Sequence, residues 1–151
     1  MKIGMRHLQL FILLFATSSL LFQLPPETFA AAGDVDSTVE INDTTTNGPT
    51  LANADHFGRS VANIGDLNGD GVNDLAVGAE DDDGSGSQRG AVHIMFMNTD
   101  GSVDSTVEIN DTTTNGPTLA NGDSFGSSIA NIGDLNGDGV NDLAVGAEDD
   151  D

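Results

Sequence analysis

Two patterns of apolar and polar positions run along this chain. The first is one uncharged block, Leu8 to Phe22, which follows Lys2 and Arg6 and is broken by Pro25 and Pro26. Ala30, Ala31 and Ala32 come next. A basic start, an apolar core and a small-residue cleavage site are the parts of a secretory signal peptide, here residues 1–32, with cleavage after Ala30 or Ala32. Fifteen uncharged residues fall short of the roughly 20 that a membrane-spanning helix needs. The reading is therefore an exported chain, secreted, extracellular, on the cell surface or periplasmic, with no membrane span after cleavage.

The second pattern is alternation with period two. Ser37-Thr38-Val39-Glu40-Ile41-Asn42 puts Val39 and Ile41 on one face and Thr38 and Glu40 on the other, as in a half-buried outer strand. Gly48 and Pro49 mark the loop after it. Ser60–Ile64 reads as a second strand, and Asp74–Ala79 as a third with small or apolar residues on both faces. Gly90–Met97 reads as a fourth, with Val92, Ile94 and Phe96 opposite His93, Met95 and Met97. Strands apolar on both faces must be covered on both faces. No helical pattern follows the N-terminal block.

These four strands recur. At an offset of 68, residues 33–83 align without a gap on 101–151, and 46 of the 51 pairs are identical. The exceptions are Asp34/Ser102, Ala54/Gly122, His56/Ser124, Arg59/Ser127 and Val61/Ile129. The units are 33–100 and 101–151, the second stopping where the first continues, so the expectation is about one and three-quarter repeats of a longer array. Four short antiparallel strands in tandem fit β-propeller blades, each packed on its neighbours. The fold class expected is all-β.

Charge narrows the function. Four Lys+Arg face 25 Asp+Glu, for a net charge of −21. Nucleic-acid binding, which needs clustered cations, is excluded, and so is electrostatic attachment to anionic lipid. With no Cys there is no disulfide framework, zinc–thiolate site or thiol nucleophile, and with no Trp or Tyr there is no wide aromatic platform. So many acids call for divalent cations.

Asp66-Leu67-Asn68-Gly69-Asp70-Gly71-Val72-Asn73-Asp74 supplies the place for one. Side-chain oxygens stand at positions 1, 3, 5 and 9, Gly stands at 6, and Val72 at 7 can offer its backbone carbonyl. Calcium takes about 6–8 oxygen ligands, and a tight loop that turns alternate residues inward provides them. The second copy offers Asp134, Asn136, Asp138, the carbonyl of Val140, and Asp142. Position 12, the bidentate Glu of an EF-hand, is Val77 or Val145, and the flanks are strands. Asp74 and Asp142 are then expected to bind in that ligand's place, with modest affinity, on the order of 10⁻⁴–10⁻³ M. Magnesium fits less well because it demands a tight octahedron.

Phe57-Gly58 followed by Asp66 through Ala79, and Phe125-Gly126 followed by Asp134 through Ala147, resemble the FG-GAP repeat of the integrin α-subunit β-propeller. The Pro of the "GAP" triplet is replaced, giving Gly78-Ala79-Glu80 and Gly146-Ala147-Glu148. The resemblance covers nearly all of 33–151. It implies a seven-bladed propeller with calcium loops between the first two strands of a blade, on the face opposite the usual ligand face. Bacterial proteins often carry such repeats in long surface or secreted chains. The resemblance brings no particular ligand with it.

Other candidates are weaker. Glu80-Asp81-Asp82-Asp83 reads as a solvated acidic turn, with a second cation site or a partner-facing loop as the alternatives. His56 is Ser124 in the other copy, and His93 reads as a packed or edge residue. Phe57 and Phe125 read as plugs between blades. Asn42-Asp43-Thr44 and Asn110-Asp111-Thr112 are formal glycosylation sequons. Everything chemically notable is duplicated, and no separate nucleophile or acid–base cluster stands out. The expected function is a non-enzymatic, calcium-binding propeller that contacts its neighbouring blades and a protein or glycan ligand, in adhesion or binding. The alternative is a propeller within, or accessory to, an extracellular hydrolase or lyase.

Overall fold

A computed structural model describes residue 35 and residues 37–150. The signal segment lies outside the described residues. The chain divides into two units, Met1–Thr38 and Val39–Asp151, and every strand lies in the second. The described residues contain no helix, and none long and apolar enough to cross a membrane.

Six strands form: β1 (Phe57–Gly65), β2 (Asp74–Ala79), β3 (Ala91–Met97), β4 (Val103–Ile109), β5 (Phe125–Gly133) and β6 (Asp142–Ala147). The first four make one antiparallel sheet in the order β1-β2-β3-β4, and β5 and β6 make a hairpin. This is one four-stranded blade and the start of another, an all-β arrangement of partial β-propeller blades. β2 and β3 are buried nearly throughout, as central strands apolar on both faces should be. β1 and β5 alternate between covered and open positions.

The identical sequences fold identically where their surroundings match. The β1–β2 ladder slips between Phe57 and Ser60 and again between Asn63 and Gly65, and the β5–β6 ladder slips at Phe125/Ser128 and Asn131/Gly133. Gly58 and Gly126 carry φ of 89° and 91° at the first slip, a backbone that only glycine adopts easily.

They differ where surroundings differ. Ser37–Asn42, expected as a strand, is not one, whereas its copy lies in β4. The reason is the ladder: β4 pairs with β3 (Val92↔Ile109, Ile94↔Val107), and no described strand pairs with residues 37–42. The sheet begun in the first sequence period is thus completed by a strand from the second.

The β3 alternation sorts the core into two faces. Ile64, Ala76, Val92 and Ile94 form one cluster, covered by Phe125, Ile129, Leu143 and Val145 of the next hairpin. Val77, Met95, Met97 and Val103 form the other, with Ile41, Phe57, Val72 and Leu75 against it. Phe125 does pack between the two sheets, whereas Phe57 lies on the opposite face with its ring edge-on to His93, 5.5 Å between centroids.

The hairpin is seated on the sheet by close backbone contact. Gly90 bridges Phe125, the Phe125 N–H donates to the Arg89 carbonyl at 2.9 Å, and the Ser60 hydroxyl donates to the Gly126 carbonyl at 2.6 Å.

Candidate metal centre

The two nonapeptides are the turns of the β1–β2 and β5–β6 hairpins. In each, the first Asp organises the loop backbone. Asp66 Oδ1 accepts the N–H groups of Gly69 (2.7 Å) and Asp70 (3.0 Å), and its Oδ2 accepts that of Gly71 (2.8 Å). Asp134 does the same for Gly137, Asp138 and Gly139 at 2.7, 3.0 and 2.9 Å. Asn68 and Asp70 each accept an N–H two residues on, from Asp70 (3.0 Å) and Val72 (2.7 Å). Asn136 and Asp138 repeat this at 2.9 Å each. Short side chains that bond the backbone two residues ahead hold such turns. Gly69 and Gly71, at φ of 81° and 91°, allow the chain to wrap around them.

Asp66, Asn68 and Asp70 are thus gathered at one tip, with Asn68 Nδ2 donating to Asp70 Oδ2 at 2.9 Å. Asp134, Asn136 and Asp138 are gathered in the same way.

Asp74 and Asp142 sit at the loop ends. Asp74 is fully buried; its Oδ2 accepts the Leu67 N–H at 2.8 Å and its Oδ1 the Met97 N–H at 3.0 Å. It therefore staples the loop to β2 and β3. Asp142 accepts the Leu135 N–H at 2.7 Å and is only half-buried, since no described strand lies beside β6 as β3 lies beside β2. The Val72 side chain packs against the second core cluster, while Val140 is exposed.

The donor set is entirely oxygen, three carboxylates and one amide per loop, on a backbone already turned, and this fits calcium. Among the described residues no three His, Cys, Asp or Glu side chains are drawn together as around a metal ion. The carboxylates instead accept amide donors of their own loop and, for Asp74, the Met97 N–H of β3.

The second hairpin and its loop reach the end of β1. Asn131 Nδ2 donates to the Asn63 carbonyl and Asn141 Nδ2 to the Ile64 carbonyl, each at 2.9 Å, just ahead of the first loop.

The acidic turn after β2 is less solvated than its composition implies. Asp82 is buried, and burial pushes its carboxyl above the usual value. Glu80 pairs with Arg59 at 2.9 Å, and Asp81 with His56 at 2.7 Å. Nor does the sequence single out Asp55 and Asp123, both buried, which accept the Ala52 and Ala120 N–H groups at 2.5 and 2.6 Å. Their duplication was the available signal.

A family profile, described as the FG-GAP repeat, matches residues 57–95 and 125–151, spans that hold both hairpins and both loops. Both hairpins belong to FG-GAP repeats, and the chain is similar to a fragment of an integrin α-like β-propeller. It is 36% identical over 97 residues to integrin alpha-PS5 of Drosophila melanogaster, covering 64% of this chain and 9% of that protein. It is 39% identical over 93 residues to integrin alpha pat-2 of Caenorhabditis elegans (60% and 7%). It is 40% identical over 92 residues to integrin alpha-3 of Mus musculus (61% and 8%). The FG-GAP chain thus spans less than a tenth of each of these integrin α relatives.

Proposed function

We propose that this chain supplies calcium-binding β-propeller blades to an exported or cell-surface protein that binds a protein or glycan ligand without catalysing a reaction. The observation that carries the reading is the pair of loops: two all-oxygen donor sets, each held in the same turn by the same hydrogen bonds. Asp66, Asn68, Asp70, the Val72 carbonyl and Asp74 would hold one ion. Asp134, Asn136, Asp138, the Val140 carbonyl and Asp142 would hold the other. The ion would offset two of the three carboxylate charges of each loop and so stiffen the blade.

The integrin α relatives support the binding role, and the signal-like N-terminus supports export. The open edge of β6 is where the third strand of its own blade would pair, as β3 pairs with β2.

The test is a melting curve of the chain in calcium and in chelator. With calcium at about 100 times Kd, one site adds about 2.7 kcal/mol to stability. Calcium should raise the melting temperature, and Asp70→Ala should reduce the rise by removing one loop's central carboxylate. Coincident curves in calcium and chelator refute the metal role.

A further inference from the structure

His93 is a titratable group sealed inside the described core. It is 0% exposed, and neither ring nitrogen has a hydrogen-bond partner. A buried N–H without an acceptor is destabilising, so such a ring needs an explanation. Its neighbours in the sheet are Val77 of β2 and Glu108 of β4, and the Phe57 ring at the start of β1 meets it edge-on, 5.5 Å between centroids.

Residues 41–56 close this face of the sheet. Ile41 packs on the cluster of Val77, Met95, Met97 and Val103, and Pro49 is buried. Among the described residues, the segment's polar ties to the rest of the blade lie at two places. The Thr106 hydroxyl donates to the Asn47 carbonyl at 2.8 Å. At the far end, the Asp81 N–H donates to the Asp55 carbonyl at 3.2 Å, and His56 Nδ1 lies 2.7 Å from Asp81 and 3.7 Å from Glu80. Between them, a cavity of about 290 Å³ separates Thr50, Leu51 and Asp55 from Asp82 and Glu108. The cover is therefore pinned at its ends over a space it does not fill.

A proton on the ring conflicts with this packing. An imidazolium has two N–H donors and a charge, and the sealed face offers neither water nor an acceptor. Burial holds the His93 pKa below the ordinary 6.5, outweighing the negative charges of Glu108, Asp82 and Asp55, which favour the proton. Arg59 and Arg89 are engaged elsewhere, by Glu80 and Asp111. An opened chain thus takes the proton more readily than a closed one. The stability tied to a neutral His93 is full above 6.5 and is lost as pH falls from there through the lower folded value.

We propose that His93 is an acid-sensitive catch beneath residues 41–56: once the ring takes a proton, the segment lifts from the sheet and bares the face made by Leu75, Val77, Met95 and Met97. The second-hairpin counterparts of Leu75 and Val77, at the offset of 68, are Leu143 and Val145, which pack on the first sheet. Acid thus uncovers a surface of the kind that one blade uses to dock on another.

The experiment is urea unfolding of the full chain in constant calcium, with hydrogen exchange and a ring-proton NMR titration beside it. Between about pH 7.5 and about pH 5.5, a ring that charges only when freed raises the unfolding constant about tenfold. His93→Leu should abolish that rise, and it should fold, because an apolar side chain there leaves no orphaned N–H. His56→Ser should keep the rise. On acidification the Gly48 and Ala52 amides should lose protection before the β2–β3 ladder does, and the His93 ring of the folded chain should titrate below 6.5. No rise in the unaltered chain, a rise that survives His93→Leu, loss of the rise in His56→Ser, a His93 ring that titrates at its ordinary value or above, or segment and ladder amides that lose protection together would each overturn the proposal. If His93→Leu fails to fold, the ring titration and the exchange of the unaltered chain decide it.

Discussion

Gly78→Ala tests how tightly the second hairpin is seated on the first sheet. A Cβ at position 78 would lie 2.0 Å from the Gly126 carbonyl oxygen and 2.5 Å from the Ser60 hydroxyl. An ordinary carbon–oxygen contact is about 3.3 Å, so the hairpin must retreat by more than about 1 Å. That movement stretches the Ser60–Gly126 hydrogen bond, worth about 1 kcal/mol. Forcing a methyl into a packed site adds about 1–3 kcal/mol. The stiffer unfolded chain returns about 0.4–1 kcal/mol. The expected net loss is about 2–3 kcal/mol. Gly146→Ala is the matched control: same motif, same strand position, but its Cβ meets the Ser128 hydroxyl at 2.3 Å, a group that can rotate away. It should stay within about 0.5 kcal/mol. Urea unfolding of both variants in calcium reads the difference directly. Equal midpoints would refute the claim that the two sheets meet backbone to backbone at Gly78 and Gly126.

Asp74→Asn should cost about 2–3 kcal/mol in calcium-free urea unfolding, because it turns an amide against the Leu67 or Met97 N–H in a dry site; Asp142→Asn, which serves only Leu135, should cost clearly less, and equal losses would show that the Met97 bond adds nothing. The Ser85 hydroxyl, and after it Arg89, hold the Asp111 carboxyl below its usual value of 3.8. A lowered carboxyl pKa gives stability that is present above that unfolded value and is lost as pH falls through the folded one. The fall of the urea midpoint below about pH 4 should therefore be shallower in Asp111→Asn than in the unaltered chain, and parallel acid limbs would count against the Ser85–Asp111 bond.

Much of the blade was legible because its signals are local. Alternation in Gly90–Met97 sorts side chains onto the two faces that the core clusters confirm. Asp at position 1, with Gly at 4 and 6, dictates a turn that needs nothing from elsewhere in the chain. What was not legible depends on partners distant in sequence. Residues 37–42 and 105–110 are identical, yet only the second is a strand, since a ladder is a property of two segments. Phe57 and Phe125 occupy the same position of the repeat, each before a Gly, and the neighbouring sheet makes one of them a plug. The environment of His93 arises from Asp55, Asp82 and Glu108, which fall in three different stretches and share no motif.

The offset between sequence period and sheet also bears on how the fold arises during synthesis and in evolution. β1, β2 and β3 leave the ribosome as an open-edged sheet, and it stays so until Ile109 has emerged to complete β4. By then most of the following linker's turn signals are close behind, so closing one blade and starting the next overlap in time. A tandem duplication of one period behaves similarly at the level of the gene. Each added unit brings the closing strand for the blade before it and the opening hairpin of its own, so the array lengthens without leaving an unmatched edge at the junction.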